Sequence, residues 1–199
     1  LMSPLTRMQL LVELIPDHKN KKKIKNEIIG LRNIISNLLL SDKLDVPYSN
    51  LNLENTNFSH FLDKIIAKYP DPDSRIVVNG SFPEITINID AIKTNIAIKN
   101  IIDNAFKYSS KNSNIIFSSF IKQNHIIVSI NNVGNIIAKD HIEKIKDPFY
   151  RVNKDLSIQG FGLGLAIANK IVIAHKGMLK IESSIKNGTT FSFYFPLNN

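Results

Sequence analysis

Two asparagines and a lysine near the middle of the chain have the types and the spacing to bind magnesium together with phosphate. Asn100 and Asn104 are four residues apart and Lys107 follows three residues later, so in a helix the three side chains share one face. An amide oxygen is a hard ligand that Mg²⁺ accepts beside phosphate oxygens, and a lysine ammonium can neutralise such an oxygen. The polar face of a surface helix is the alternative interpretation.

A glycine-rich segment further along the chain could hold phosphate through its backbone. Gly160-Phe161-Gly162-Leu163-Gly164-Leu165 stands immediately before an apolar stretch. Glycines let backbone N–H groups approach a phosphate closely, and the start of a helix adds positive potential. The spacing differs from the dinucleotide-binding fingerprint, which needs glycine at position 165, and from the P-loop, which needs lysine after its last glycine. A tight packing turn is the other explanation of this segment.

The elements that must position these residues begin with two predicted helices. In each of them apolar residues recur every three or four positions, and Pro16-Asp17-His18-Lys19-Asn20 separates the two series. The apolar residues of this seam are Leu5, Met8, Val12 and Ile15 in the first helix, and Ile24, Ile28, Leu31, Ile35 and Leu38 in the second. A single two-helix hairpin buries too little apolar area to be stable. The pattern therefore predicts a homodimer built on a four-helix bundle.

The rest of the chain predicts an α/β sandwich. Residues 46–56 are rich in asparagine, show no periodicity and are predicted to be a linker. The predicted elements beyond it are helices at 57–68, 90–108, 139–145 and from the glycine segment to about residue 175, with strands at 75–78, 84–89, 115–120, 126–130, 178–183 and 190–195. The fold class is therefore α+β, with a helical hairpin at 1–45 and, at 57–197, a mixed sheet that carries helices on one face.

Composition and charge exclude several classes of protein. The chain is 43% hydrophobic and 21% charged, as expected of a globular protein, and it contains no cysteine, which excludes disulfides and thiolate metal sites. No uncharged apolar run approaches the ~20 residues that span a bilayer. The net charge is +8, but the densest basic run, Lys19 to Lys25, has no interleaved aromatic residue. We interpret that run as a solvated turn and expect no direct contact with nucleic acid.

Five segments, taken in order, resemble the catalytic core of sensor histidine kinases. They are Asn100–Tyr108, Asn132-Val133-Gly134, Pro148-Phe149-Tyr150-Arg151, Gly160–Ile167 and Gly188-Thr189-Thr190-Phe191. Upstream of them, Ser3-Pro4-Leu5-Thr6-Arg7-Met8 resembles the sequence that follows the phosphoacceptor histidine of that family. The resemblance covers nearly the whole chain.

This resemblance implies a division of labour. Residues 1–45 would be an incomplete dimerisation and phosphotransfer hairpin, and 57–197 would be an ATP-binding domain of the GHKL type that moves the γ-phosphoryl group of ATP to a histidine and then to an aspartate in a response-regulator receiver domain. Asn104 would ligate Mg²⁺, and the stretch 147–162 would be an ATP lid. The other residues implied to bind nucleotide are Asn100, Lys107, Tyr108, Asn132, Gly134, Phe149, Tyr150, Arg151, Gly160, Gly162, Leu163, Gly164, Leu165 and Thr190.

The chain departs from the family pattern in ways that leave a second function open. The phosphoacceptor would lie just upstream of Leu1, Asn132 replaces the aspartate that accepts the adenine amino group, and Ile136 replaces a glycine. A β-branched residue with positive φ at position 136 would cost roughly 1–3 kcal/mol. The alternative is a degenerate homologue that binds a response regulator, or acts as a phosphatase with Ser3 at the position that orients water.

Two further expectations concern histidines and location. We expect the histidines of the chain, His18, His60, His125, His141 and His175, to be surface residues. We also expect this segment to be cytoplasmic, with membrane attachment supplied only by a sensor segment upstream of Leu1, in a parent protein of the bacterial inner membrane.

Overall fold

The computed structural model describes residues 2–16, 19–44, 51–69, 75–152 and 161–197, and it divides into two compact units after Val46. The first unit is a helical hairpin of α1 (Met2–Glu13) and α2 (Lys19–Leu44). Among the described residues, no helix is long and apolar enough to cross a membrane.

The hairpin buries only part of its predicted apolar seam. Leu5, Val12 and Ile28 form its core, and Ile35 packs against them. The other seam residues are exposed, and so are Leu10 and Leu11 of α1 and Leu14 just after it. The exposed seam residues are Met8, Ile15, Ile24, Leu31 and Leu38. The hairpin therefore presents to its surroundings much of the apolar surface that the periodicity assigned to helix packing.

The second unit contains seven strands and four helices. The strands are β1 (Glu54–Asn57), β2 (Ile76–Val78), β3 (Thr86–Ile89), β4 (Ile115–Lys122), β5 (His125–Asn132), β6 (Met178–Ser184) and β7 (Gly188–Pro196). The helices are α3 (Phe58–Ile66), α4 (Ala91–Tyr108), α5 (Lys139–Ile142) and α6 (Gly164–Ala174), and a 3₁₀ helix spans Lys144–Lys146. These counts apply to the described ranges of the chain.

The sheet is mixed, as the sequence predicted. Its strand order is β2-β4-β5-β7-β6, with β2 parallel to β4 and every other neighbour antiparallel. Strands β1 and β3 form a separate antiparallel pair. The predicted linker at 46–56 is thus partly wrong, because from Glu54 onward it forms β1. That strand has no apolar alternation to reveal it and depends on its pairing with β3.

The core lies between one face of the sheet and helices α3, α4 and α6. The sheet contributes the alternate residues Phe117, Val128, Ile130, Phe193 and Phe195, and the helices contribute Phe58, Leu62, Ile98, Ile101, Ile167 and Ile171, all buried. Asp90 is the N-cap of helix α4, and its carboxylate accepts the backbone N–H of Lys93 at 2.9 Å. This core fixes α4 and α6, which carry most of the candidate site.

Candidate functional site

Helices α4 and α6 pack against each other, and at one end His175 joins them. Nε2 of His175 accepts the backbone N–H of Asp90 at 3.0 Å, and Nδ1 donates to the carbonyl of Ile171 at 2.8 Å. The ring packs edge-on against Phe195, and His175 is only 1% exposed. The expectation that every histidine is a surface residue is therefore wrong for His175. Its partner Asp90 lies 85 residues away, so local spacing carried no signal of this contact.

Burial and hydrogen bonds fix the protonation states at this end. Burial lowers the pKa of His175 below its ordinary value, and the hydrogen bond to the Ile171 carbonyl opposes that shift without reversing it. For Asp90, burial raises the pKa, but hydrogen bonds from Lys93 and from the N–H of Asn52 outweigh it and leave the pKa below its ordinary value. The end is therefore closed by a neutral histidine and an ionised aspartate.

At the other end of the same helix pair, polar groups are left without partners. The side-chain nitrogen of Asn100 is buried and has no hydrogen-bond partner. A Cβ added at Gly164 would lie 3.4 Å from the Asn100 amide, so Asn100 stands beside the first residue of α6. The N-cap of α6 is Leu163, which supplies no side-chain hydrogen bond to the helix start. An acceptor placed here would meet an amide donor and uncapped backbone N–H groups.

Further along α4, the other predicted residues lie on the same stretch of helix. Asn104 is one turn beyond Asn100 and is half-buried, whereas Lys107 and Tyr108 are exposed in the last turn. After the helix, Ser109 forms a bridge with Gly134. A Cβ at Gly134 would lie 2.1 Å from the carbonyl oxygen of Tyr108. Glycine is therefore required at position 134 for close approach of two backbones.

The end of β5 lies beside Thr189, whereas the sequence predicted Thr190 for the site. Asn132 is 3% exposed and pairs with Thr189 across the sheet. Thr190 is on the opposite face, where its hydroxyl oxygen accepts from the Asn131 side chain at 2.8 Å. Thr190 therefore faces away from the helices, and Thr189, which sequence reasoning passed over, is the threonine next to Asn132. Successive residues of a strand point to opposite faces of the sheet, so the register of strand pairing decides which threonine lies beside Asn132. Residue spacing alone does not give that register.

The aromatic segment expected to open the lid contacts the start of α6. Phe149 has a positive φ of 66°, and its N–H donates to the carbonyl of Gly162 at 3.0 Å. Gly162 has φ 70°, and a Cβ there would lie 2.8 Å from the carbonyl oxygen of Tyr150. The glycine at 162 is thus required by contact with the chain at 149–150. Gly160 and most of the predicted lid, 153–160, lie outside the described residues.

The remaining predicted residues divide between the core and the rim of the site. Leu163 and Leu165 are buried, so their side chains pack in the core. Arg151 is half-buried just before the undescribed segment.

Ile136 has no positive φ, because the described non-glycine residues with positive φ are Gln123, Phe149 and Lys176. The strain considered for Ile136 is therefore not incurred. The backbone of Ser3 belongs to α1, and its side chain lies outside the described residues.

Comparison with known families identifies the second unit. Residues 89–199, more than half of the chain, match the model of the histidine kinase-, DNA gyrase B- and HSP90-like ATPases. The chain belongs to this family. The match contains α4, the Asn132–Gly134 segment and α6, which are the elements that build the site.

Curated relatives of this ATPase-family chain include sensor kinases. The signal transduction histidine-protein kinase ArlS of Staphylococcus epidermidis is 32% identical over 177 residues, which cover 87% of this chain and 39% of ArlS. The sensor histidine kinase WalK of Bacillus subtilis is 29% identical over 212 residues, which cover 98% of this chain and 35% of WalK. The chain thus spans less than half the length of these relatives.

Solved structures of histidine kinases share the fold. Histidine kinase AdeS of Acinetobacter baumannii superposes with a TM-score of 0.72 at 20% identity, covering 100% of this chain and 95% of AdeS. Full-length ShkA in complex with AMPPNP gives a TM-score of 0.79 at 20% identity, covering 98% of this chain and 43% of ShkA. The predicted α+β fold class and the resemblance to sensor histidine kinases are confirmed.

Proposed function

We propose that this chain binds ATP with Mg²⁺ as the catalytic core of a sensor histidine kinase and transfers the γ-phosphoryl group to a histidine, from which an aspartate of a response regulator receives it. The observation that carries the proposal is the buried, unpartnered side-chain nitrogen of Asn100 beside Gly164 at the uncapped start of α6. Buried polar groups in native proteins are nearly always hydrogen bonded. A phosphate oxygen would satisfy both Asn100 and the helix start.

The residues present fit a nucleotide with its metal. The amide oxygen of Asn104, one turn from Asn100, would hold Mg²⁺, whose role is to neutralise phosphate charge during transfer. Lys107 adds a positive charge on the same stretch of α4. Asn132, at the end of β5, would accept the adenine amino group beside Thr189. The described residues contain no group of three or more His, Asp or Glu side chains able to hold a metal alone, which fits a metal shared with phosphates.

The exposed apolar surface of the hairpin supports a homodimer. Its exposed apolar residues, among them Leu10, Leu14 and Leu31, would be buried in a four-helix bundle with a second copy, and we propose a homodimer on that ground.

The receiver domain of a response regulator is the proposed acceptor partner, because the relatives are named sensor histidine kinases. We further propose that the segment acts in the cytoplasm as part of a membrane-attached parent.

Calorimetry with the non-hydrolysable analogue AMPPNP, with and without Mg²⁺, tests nucleotide binding. We expect binding that strengthens with Mg²⁺, and we expect Asn104→Ala to remove most of that Mg²⁺ dependence. Asn95→Ala is the matched control, because Asn95 lies on α4 but outside the site. Loss of Mg²⁺ dependence in the control, or its persistence in Asn104→Ala, would contradict the assignment of the metal ligand.

Phosphotransfer is tested with radiolabelled ATP and a separate hairpin that carries the family histidine. We expect label on that hairpin only when this chain is present, and no label on this chain alone. Nucleotide binding without any transfer would favour the alternative, a degenerate homologue. The observation that supports this alternative is Asn132, which stands where the family has an aspartate. Label on this chain alone would show that the acceptor histidine has been wrongly placed.

A further inference from the structure

His141 and Tyr150 form a hydrogen bond that no sequence motif indicated. Nδ1 of His141 lies 2.6 Å from the hydroxyl oxygen of Tyr150, and both side chains are half-buried. The two rings are tilted by 43° with their centroids 6.0 Å apart. The residues are nine apart in the chain, and the 3₁₀ helix Lys144–Lys146 lies between them. Burial of Ile145 holds that 3₁₀ helix against α6.

The other ring nitrogen of His141 has an acidic neighbour. Nε2 of His141 lies 3.9 Å from a carboxylate oxygen of Asp140. That separation is too long for a hydrogen bond, so the Tyr150 hydroxyl is the hydrogen-bond partner of the ring. The phenol, expected from sequence to contact nucleotide, is occupied by a side chain of this chain.

The backbone of Tyr150 packs against Gly162, in the segment that leads into α6. The N–H of the preceding residue, Phe149, is bonded to the carbonyl of Gly162, and Phe149 has a positive φ that the surrounding structure must hold in place. A side chain at Gly162 would collide with the carbonyl of Tyr150. Because α6 begins two residues after Gly162, at Gly164, the position of Tyr150 constrains the position of the helix start.

We propose that His141 is a positioning residue: through its hydrogen bond with the Tyr150 hydroxyl, it holds the turn at Phe149–Tyr150 against Gly162 and so fixes the N-terminal turn of α6. His141 itself touches no phosphate. Its consequence for nucleotide affinity rests on the function proposed above, because the uncapped start of α6 is the place where a phosphate would bind.

The test uses the whole chain, four variants and one control variant. His141→Leu and Tyr150→Phe each remove one side of the hydrogen bond, their combination removes both, and His141→Asn restores a group that can hydrogen bond near the position of Nδ1. Tyr194→Phe is the matched control, because Tyr194 meets His125 only through an edge-on ring contact, with centroids 6.1 Å apart. Two quantities are measured: the dissociation constant for AMPPNP with Mg²⁺, and the NMR shifts of the His141 ring nitrogens and of the Gly162 and Gly164 amides.

We expect His141→Leu and Tyr150→Phe each to weaken AMPPNP binding by about three- to tenfold, the double variant to be no worse than either single one, and His141→Asn to recover most of the loss. We expect Tyr150→Phe to move the Nδ1 shift of His141 and the amide shifts of Gly162 and Gly164, and Tyr194→Phe to move none of them. Additive losses of affinity, or amide shifts unchanged by Tyr150→Phe, would overturn the proposal. If the wild-type chain binds no AMPPNP, the proposed function fails, and the NMR shifts alone still decide the role of His141.

Discussion

The two ends of the α4–α6 helix pair differ in how their polar groups are satisfied. At the closed end, both ring nitrogens of His175 and both carboxylate oxygens of Asp90 have hydrogen-bond partners. At the open end, the side-chain nitrogen of Asn100 is buried without a partner, and the start of α6 has no side-chain cap. The same two helices are thus fastened at one end and left with unused donors at the other. The hydrogen bonds at the closed end stabilise the helix pair. This stability allows the open end to leave hydrogen-bond donors unpaired and available to a ligand.

The largest effect is expected from opening the closed end. His175→Leu keeps an apolar side chain among Phe195 and its neighbours, but it leaves the N–H of Asp90 buried without a partner and removes the side-chain hydrogen bond to the Ile171 carbonyl, which keeps its backbone bond at 3.2 Å. We expect a loss of about 1–3 kcal/mol in the free energy of unfolding, measured by urea denaturation. His60→Leu, at an exposed position, is the control. A loss below about 0.5 kcal/mol would show that the closed end does not fasten the pair.

Filling the open end should separate affinity from stability. Asn100→Leu removes a donor that the protein does not use internally, so we expect the free energy of unfolding to stay unchanged or to rise by up to about 1 kcal/mol. We expect the affinity for AMPPNP to fall by about 10- to 100-fold, as for the loss of a hydrogen bond to a charged group. Calorimetry and urea denaturation on the same samples check both values. A destabilised variant with unchanged affinity would reverse the comparison.

The closed end also predicts how stability depends on pH. The folded protein holds the pKa of His175 below its ordinary value of about 6.5, so the unfolded chain takes up that proton first as the pH falls. This contribution to stability is therefore complete above about pH 6.5 and is lost as the pH falls toward the depressed pKa, with a slope of at most about 1.4 kcal/mol per pH unit.

Urea denaturation between pH 7.5 and 5 should show this decline in the wild-type chain. The decline should persist in His60→Leu and disappear in His175→Leu, because only the second variant lacks the buried imidazole. A decline that survives in His175→Leu would assign the pH dependence to another group.

The smallest effect is expected at the start of α6. A Cβ at Gly164 would be in ordinary contact with the Asn100 amide at 3.4 Å, and alanine favours a helix more than glycine does. We expect Gly164→Ala to change the free energy of unfolding by less than about 0.5 kcal/mol. Gly134→Ala is the contrast, because its Cβ would lie 2.1 Å from the Tyr108 carbonyl oxygen, and we expect it to cost more than about 1 kcal/mol. Equal effects of the two would show that the open end is as tightly packed as the backbone contact at Gly134.

Much of the second unit could be predicted from local patterns. Helix α4, predicted at 90–108, is observed at Ala91–Tyr108, because Asp90 caps it and its apolar residues recur at helical spacing. The hairpin of β6 and β7 was predicted from an Asn-Gly turn that the structure contains. Strand β1 was missed, because its sequence, Glu54–Asn57, is polar and mostly exposed. In such a strand the pairing partner determines the structure.

The sequence by itself determined the residue types of the site and their order along the chain. Asn100, Asn104 and Lys107 share a helix because spacing along one helix is a local property, and the glycines that precede α6 need no distant partner to be recognised. The tertiary structure decided the rest. It buried His175 against Asp90, 85 residues away, and engaged Tyr150 with His141. The strand register placed Thr189, in preference to Thr190, beside Asn132. Each of these depends on which elements pack together, and that is set by burial of the whole apolar core.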